Sequence, residues 1–291
     1  TLGHNHPELV PALQDQLGKM IHSCNYFHVP NAEVLAAKLV ELSGMTNVFF
    51  CCTGLEANEA AIKLARKRGT AIAAGKTQIV SALASFHGRT IATVTAGGQP
   101  KYSEPFGPLP GGSVHVPFND CDALTAAVNE HTAAIFLEPI QGEAGVYTPA
   151  NDYMHKAQQL CKDNGVLFIA DEIQTGIART GSLLAVCGNC TCEQACERQT
   201  TYVRPDILIM GKALSGGVYP ISAVMADDEI MMVIQPGQHG STFGGNPLAC
   251  AVANVAIDIL EDEDLIENAE KRGKQLMKFL FCQLRFLNLM L

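Results

Sequence analysis

A chain of 291 residues, 47% hydrophobic and 17% charged, is long enough to bury a large core as one big domain or one plus part of a second. A net charge of −9 argues against general attraction to nucleic acid, and no apolar run reaches the roughly 18 residues that cross a bilayer, so neither nucleic acid nor membrane is an expected partner. Thr1 to Pro7 lacks the basic stretch and apolar core of a secretory signal. Cytoplasmic surroundings are therefore expected, or an organellar matrix if a targeting segment lies upstream.

In chain order, helical spacing over Pro7–His22 and Ala32–Leu42 precedes a strand at Asn47–Cys52. An Ala-rich helix over Glu56–Arg68 follows, with Lys63, Arg66, Lys67 and Arg68 read as a solvated face. Strands are expected at Gln78–Ala84, Ser113–Phe118 and Ala133–Glu138. A helix over Asp152–Asn164 leads into a strand at Gly165–Asp171, whose stretch from Val166 to Ala170 is continuously apolar, as in strands buried on both faces. Strands at Asp206–Met210 and Ile221–Met225 come next, then a helix from Leu248 toward Glu261 and another from Leu265 onward. Apolar, β-branched runs alternating with helices are the pattern of an α/β domain with a mostly parallel sheet.

Three motifs fall at strand ends, the edge where open α/β sheets bind ligands. In Thr53-Gly54-Leu55-Glu56, free N–H groups at a helix start suit a phosphate, and Gly54 lets the backbone come close; a Thr-capped turn is the plain alternative. Asp171, at the end of a buried strand, needs a cationic partner such as a protonated pyridine nitrogen, unless it only caps the next turn. Lys212, straight after a strand and before Gly216-Gly217, is expected half-buried with a lowered pKa and so competent as a Schiff-base nucleophile; a surface lysine is the alternative. A phosphate cradle, a pyridinium carboxylate and a Schiff-base lysine are together the demands of one cofactor, pyridoxal 5'-phosphate.

The order Thr-Gly-Leu-Glu-Ala-Asn-Glu (53–59), Phe-His-Gly-Arg-Thr (86–90), Glu-Pro-Ile-Gln-Gly-Glu-Ala-Gly (138–145), Asp-Glu-Ile-Gln-Thr-Gly (171–176), Gly-Lys-Ala-Leu-Ser-Gly-Gly (211–217) and His-Gly-Ser-Thr-Phe-Gly-Gly-Asn-Pro (239–247) resembles the class III pyridoxal-phosphate-dependent aminotransferases, in their ornithine/acetylornithine group. The resemblance implies a fold type I large domain, with a mostly parallel mixed sheet flanked by helices. It also implies roles. Lys212 would hold the cofactor and shuttle a proton, Asp171 would pair with the pyridine nitrogen, Gln174 would contact the phenolic oxygen, and Phe86 would stack on the ring. Gly54 and Leu55 would offer N–H groups to the phosphate, and Thr242 would reach the phosphate of a second subunit, in a homodimer with shared active sites. Arg89 would bind a substrate carboxylate, and Glu143 would pair with an arginine and switch between half-reactions. Leu55 departs from the usual Ala or Val, and Cys51-Cys52 from the usual Asn or small polar residue.

By the same resemblance, residues 1–30 are a segment leading into the large domain, 31–260 the cofactor-binding domain, and 261–291 the start of a C-terminal region that is cut short. The arginine partner of Glu143 is expected in chain beyond these residues. The reaction implied is transfer of the terminal amino group of ornithine to 2-oxoglutarate, an amino-acid donor and a 2-oxo-acid acceptor. Acetylornithine aminotransferase, an aminomutase and an inactive fragment are the alternatives. Of the eleven cysteines, Cys187, Cys190, Cys192 and Cys196 cluster in an insertion over 183–203; a zinc site, an iron–sulfur cluster, redox disulfides and plain surface thiols all stay open.

Overall fold

The computed structural model describes residues 2–24, 26–150, 152–188 and 203–288. All seven expected strands form: β1 (Asn47–Cys51), β2 (Gln78–Ala82), β3 (Ser113–Val116), β4 (Thr132–Leu137), β5 (Leu167–Asp171), β6 (Ile207–Met210) and β7 (Ser222–Ala226). They make one sheet in the order β1-β7-β6-β5-β4-β2-β3. Only β7 runs against its neighbours, antiparallel to both β1 and β6, so the sheet is mixed and mostly parallel as expected.

Every residue of β4, β5, β6 and β7 is buried, which accounts for their unbroken apolar sequences. Alternate side chains feed two cores. Phe168, Ala170, Leu208 and Met210 face one layer, built with Leu35 and Leu39 of helix Pro30–Ser43, Tyr153 and Ala157 of helix Tyr153–Asn164, and Ala253 and Ile257 of helix Pro247–Asp262. Leu167, Ile169, Ile207 and Ile209 face the other, covered by Ala57, Ala60, Ala61 and Leu64 of helix Gly54–Ile72. Small alanines let that helix lie close to the sheet. Its Gly69 has no room for a side chain, since a Cβ there would come within 2.0 Å of the Lys76 carbonyl oxygen.

Helix boundaries follow local chemistry. Thr53 and Asn246 cap two helix starts, accepting from Glu56 N and Ala249 N, and Gly44 and Gly165 end two helices in the left-handed region. The first helix spans only Leu9–Leu17, shorter than the expected Pro7–His22, because the chain turns at Gly18 and leaves Met20 and Ile21 exposed. The basic face is solvated as expected, Lys63 being exposed and Arg66, Lys67 and Arg68 partly so, and it also makes polar contacts. Lys63 Nζ lies 3.2 Å from His239 Nδ1, Lys67 bonds Gln238, and Arg68 lies 4.0 Å from Glu229, so that face docks against the segment 229–239. Among the described residues no helix is long and apolar enough to cross a membrane.

Most strands end a residue or two short of expectation, and the residues released form the carboxyl-edge loops. Thr53-Gly54 follows β1, Glu138 follows β4, Asp171 closes β5, and Lys212 follows β6. Parallel pairing of β5 and β6 sets Asp171 opposite Ile209, three residues before Lys212. The register of the sheet thus brings carboxylate and amine to one edge.

Candidate active site

A cavity of about 290 Å³ opens at this edge, lined by Thr53, Gly54, Leu55, Asn58, Phe86, His87, Gly88, Arg89, Glu138, Asp171, Ile173, Gln174 and Lys212. Seven of the nine residues singled out from sequence therefore share one wall: Gly54, Leu55, Phe86, Arg89, Asp171, Gln174 and Lys212. Glu143 and Thr242 do not. Glu143 is exposed and accepts from Tyr102 Oη at 3.3 Å. Thr242 lines a separate cavity of about 290 Å³ with Cys51, Cys52, Glu56, His239, Gly240, Ser241 and Phe243.

Asp171 is 4% exposed and fully engaged. Its Oδ2 accepts from His87 Nδ1 (2.8 Å) and Asn58 Nδ2 (3.0 Å), and its Oδ1 accepts from Ile173 N (3.1 Å). His87 is fixed in turn by stacking on Phe136, ring centroids 3.8 Å apart and planes 15° from parallel. The turn-capping alternative is therefore also true in part, through Ile173, but two buried side-chain donors go beyond what a cap requires. Lys212 corrects an expectation: it is exposed, not half-buried, because the chain leaves β6 in a short 3₁₀ turn with Lys212 at φ +38°, facing the open cavity.

Three observations test whether pyridoxal phosphate suits these residues. The helix Gly54–Ile72 starts at the cavity wall, so Gly54 and Leu55 carry N–H groups without intrahelical acceptors, and a Cβ on Gly54 would come within 2.8 Å of Ile173 Cδ1. Gln174 keeps a buried Oε1 with no hydrogen-bond partner among the described residues, and Gly142 leaves it room, since a Cβ there would lie 1.5 Å away. A buried carboxylate, an amine and an aromatic rim at Phe86 complete a set that fits a phosphorylated pyridine aldehyde.

Four buried polar residues had no role assigned from sequence: Asn58, His87, Glu138 and Glu172. All four lie inside quoted motifs, and Glu138 stands where a strand ends in Glu-Pro, the signal that could have marked it. Glu138 Oε1 accepts from Phe86 N at 2.8 Å, tying the aromatic rim to β4. Burial pushes its carboxyl up to about 7, Asp171 adding to the rise while His87, Phe86 N–H and Lys212 oppose it.

Glu172 is wholly buried, accepting from Thr175 Oγ1 and from Val186 N at 2.7 Å, and burial raises it too to about 7 against those hydrogen bonds. From the ordinary value of 4.5 up to about 7, the folded chain keeps a proton that the unfolded chain releases. The stabilising contribution is thus complete below the unfolded value and lost as pH rises through the folded one. Thermal midpoints of Glu172→Gln should fall less steeply between about pH 5 and pH 7 than those of the unaltered chain. Equal slopes would mean that Glu172 is already ionised across this range.

The thiols of Cys187, Cys190, Cys192 and Cys196 lie outside the described residues, and among the described residues no group of His, Cys, Asp or Glu could hold a metal ion.

A mixed, mostly parallel sheet with this cavity at its carboxyl edge defines a fold type I transferase, and residues 1–284 match the family described as aminotransferase class III. The chain belongs to the class III aminotransferase family, whose members depend on pyridoxal phosphate. It is 48% identical over 273 residues to an acetylornithine aminotransferase of Methanothermobacter thermautotrophicus, covering 94% of this chain and 65% of that protein. It is 45% identical to ornithine aminotransferase 2 of Staphylococcus saprophyticus, covering 90% of this chain and 64% of the relative. Among solved structures, the ornithine aminotransferase of Toxoplasma gondii superposes with a TM-score of 0.87 at 40% identity, covering 94% of this chain and 63% of that one. The chain thus spans about two thirds of the length of each of these proteins.

Proposed function

We propose that this chain carries the cofactor-binding part of an aminotransferase that moves the terminal amino group of ornithine to 2-oxoglutarate, giving glutamate and a semialdehyde. The observation that carries the reading is the placing of buried Asp171 and of Lys212 on one cavity beside a helix N-terminus. Pyridoxal phosphate, when bound, supplies an electron sink for cleavage next to the substrate amine.

Asp171, held by His87, Asn58 and Ile173 N–H, lines the cavity where its carboxylate would pair with a protonated pyridine nitrogen. Lys212 Nζ binds the cofactor and moves a proton on and off the amine-bearing carbon of the substrate. Gly54 and Leu55 N–H groups hold the phosphate, Gln174 orients the phenolic oxygen, and Phe86 packs against the ring. Arg89 binds a substrate carboxylate through its planar fork. Glu143 acts as the switch between the two half-reactions. Thr242, on its separate cavity, serves the phosphate of a second copy in a homodimer.

Ornithine is preferred because the stretch Lys-Ala-Leu-Ser-Gly-Gly-Val-Tyr-Pro (212–220), around the reactive lysine, resembles ornithine aminotransferases. A second reading, acetylornithine as donor, is favoured by the 48% identical relative that carries that name. Rates with both amines, at saturating 2-oxoglutarate and pyridoxal phosphate, decide between them. We expect kcat/KM for ornithine to exceed that for acetylornithine by about tenfold or more, since a site built to pair a free charged amine rejects its acylated form. The opposite ratio reverses the assignment, and sustained turnover without 2-oxoglutarate overturns amino transfer altogether.

A further inference from the structure

Arg89 stands at the cavity with its guanidinium against two aromatic rings, Cζ lying 4.7 Å from the Tyr102 centroid and 5.6 Å from that of Phe86. The rings themselves meet edge to face, centroids 6.0 Å apart. Among the described residues the guanidinium has no hydrogen bond or ion pair, so its N–H fork is held by ring contacts alone. The hydroxyl of the same Tyr102 donates to Glu143 Oε1 at 3.3 Å. One half-buried side chain thus touches both the cation and the carboxylate, although they are 54 positions apart in sequence (143 minus 89).

Those contacts address a problem built into the site. A carboxylate-binding arginine near an exposed glutamate can be neutralised by it, because an ion pair with Glu143 would occupy the fork that a substrate carboxylate needs. An aromatic ring holds a guanidinium by its face without consuming its N–H donors. A hydroxyl directed at the glutamate gives that carboxylate another partner. Both effects come from Tyr102.

We propose that Tyr102 is a positioning residue for substrate carboxylates: its ring presents the Arg89 guanidinium at the cavity and its hydroxyl restrains Glu143 from pairing with that guanidinium. The proposal rests on the reading of Arg89 as the carboxylate grip. It assigns the ring to carboxylate affinity and the hydroxyl to keeping Arg89 available.

The test is binding of glutarate, a five-carbon dicarboxylate with neither amine nor oxo group, followed by titration calorimetry on the full chain loaded with pyridoxal phosphate. Tyr102→Leu, losing ring and hydroxyl, should weaken glutarate by roughly tenfold. Tyr102→Phe, keeping the ring, should weaken it by about threefold, and adding Glu143→Gln should restore binding, since a neutral amide no longer competes for the guanidinium. In turnover, the KM for 2-oxoglutarate should rise in Tyr102→Leu while kcat stays nearly constant, the mark of lost uniform binding. A purely structural tyrosine would give no rescue by Glu143→Gln. Wild-type affinity in both Tyr102 variants, with affinity lost in Arg89→Ala, overturns the proposal alone. Wild-type affinity in Arg89→Ala overturns it together with the reading of Arg89. Tyr102→Phe keeps the ring packing, so a failure of Tyr102→Leu to fold leaves the comparison intact.

Discussion

Lys212→Ala should abolish the visible absorbance of bound pyridoxal phosphate and lower kcat by about 10⁴-fold or more, while leaving the chain as stable as before. The separation of the two effects follows from where the residue sits. Lys212 is exposed on the cavity, and no ion pair or hydrogen bond fixes its amine among the described residues. Truncating it leaves no buried polar group stranded, so the thermal midpoint should stay within about 2 °C of the original. Its backbone at φ +38° carries the same penalty with alanine as with lysine, so strain is not relieved either. Absorbance titration with the cofactor, followed by a melting curve on the same sample, measures both. A visible band of undiminished height in the alanine variant would end the assignment of Lys212 as anchor.

Asp171→Ala is expected to damage both activity and stability. Three donors converge on this carboxylate; its removal leaves His87 Nδ1 and Ile173 N without their acceptor in a buried place, while Asn58 Nδ2 keeps its bond to the His87 carbonyl oxygen at 2.6 Å. A loss of about 3 kcal/mol in unfolding free energy is the corresponding estimate. Turnover should fall by about 10³-fold, as for removal of a fixed charge that stabilises the transition state. Urea unfolding and steady-state rates separate the roles: a destabilised variant with full turnover would leave Asp171 as a structural turn residue only. Asp171→Glu, which keeps the charge but lengthens the arm by one methylene, should recover part of both.

Much of the cavity wall is legible in the sequence. Asp171 and Lys212 each follow a run of continuously apolar residues, and such runs mark buried parallel strands whose carboxyl ends face ligands. Gly54 follows a strand and opens a helix in the same way. These are local signals, carried by the period and composition of a few neighbouring residues. Glu138 gave the same signal without being singled out, because its Glu-Pro pair reads equally as the start of a loop. His87 and Asn58 gave none. Their importance lies in contact with a carboxylate 84 and 113 positions away, and no local pattern reports a partner at that distance.

The basic face of helix Gly54–Ile72 carries contacts that its spacing does not report. Lysines and arginines on one helix face ordinarily point to water, and these four stay at least partly exposed. Here Lys63 and Lys67 meet His239 and Gln238, some 170 residues on, because the chain after β7 folds back along the helix.

By itself the sequence determined the seven strands, the principal helices, the order of the motifs and the family, since these depend on patterns that repeat over short stretches or on strings matched in order. The tertiary structure alone decided which groups surround Asp171, that Lys212 stands open to the cavity, that Glu143 and Thr242 lie off its wall, and that Tyr102 joins Arg89 to Glu143. The physical reason is topology: parallel pairing of β5 and β6 joins residues far apart in the chain, and the side chains meeting at their ends come from segments that share no local signal.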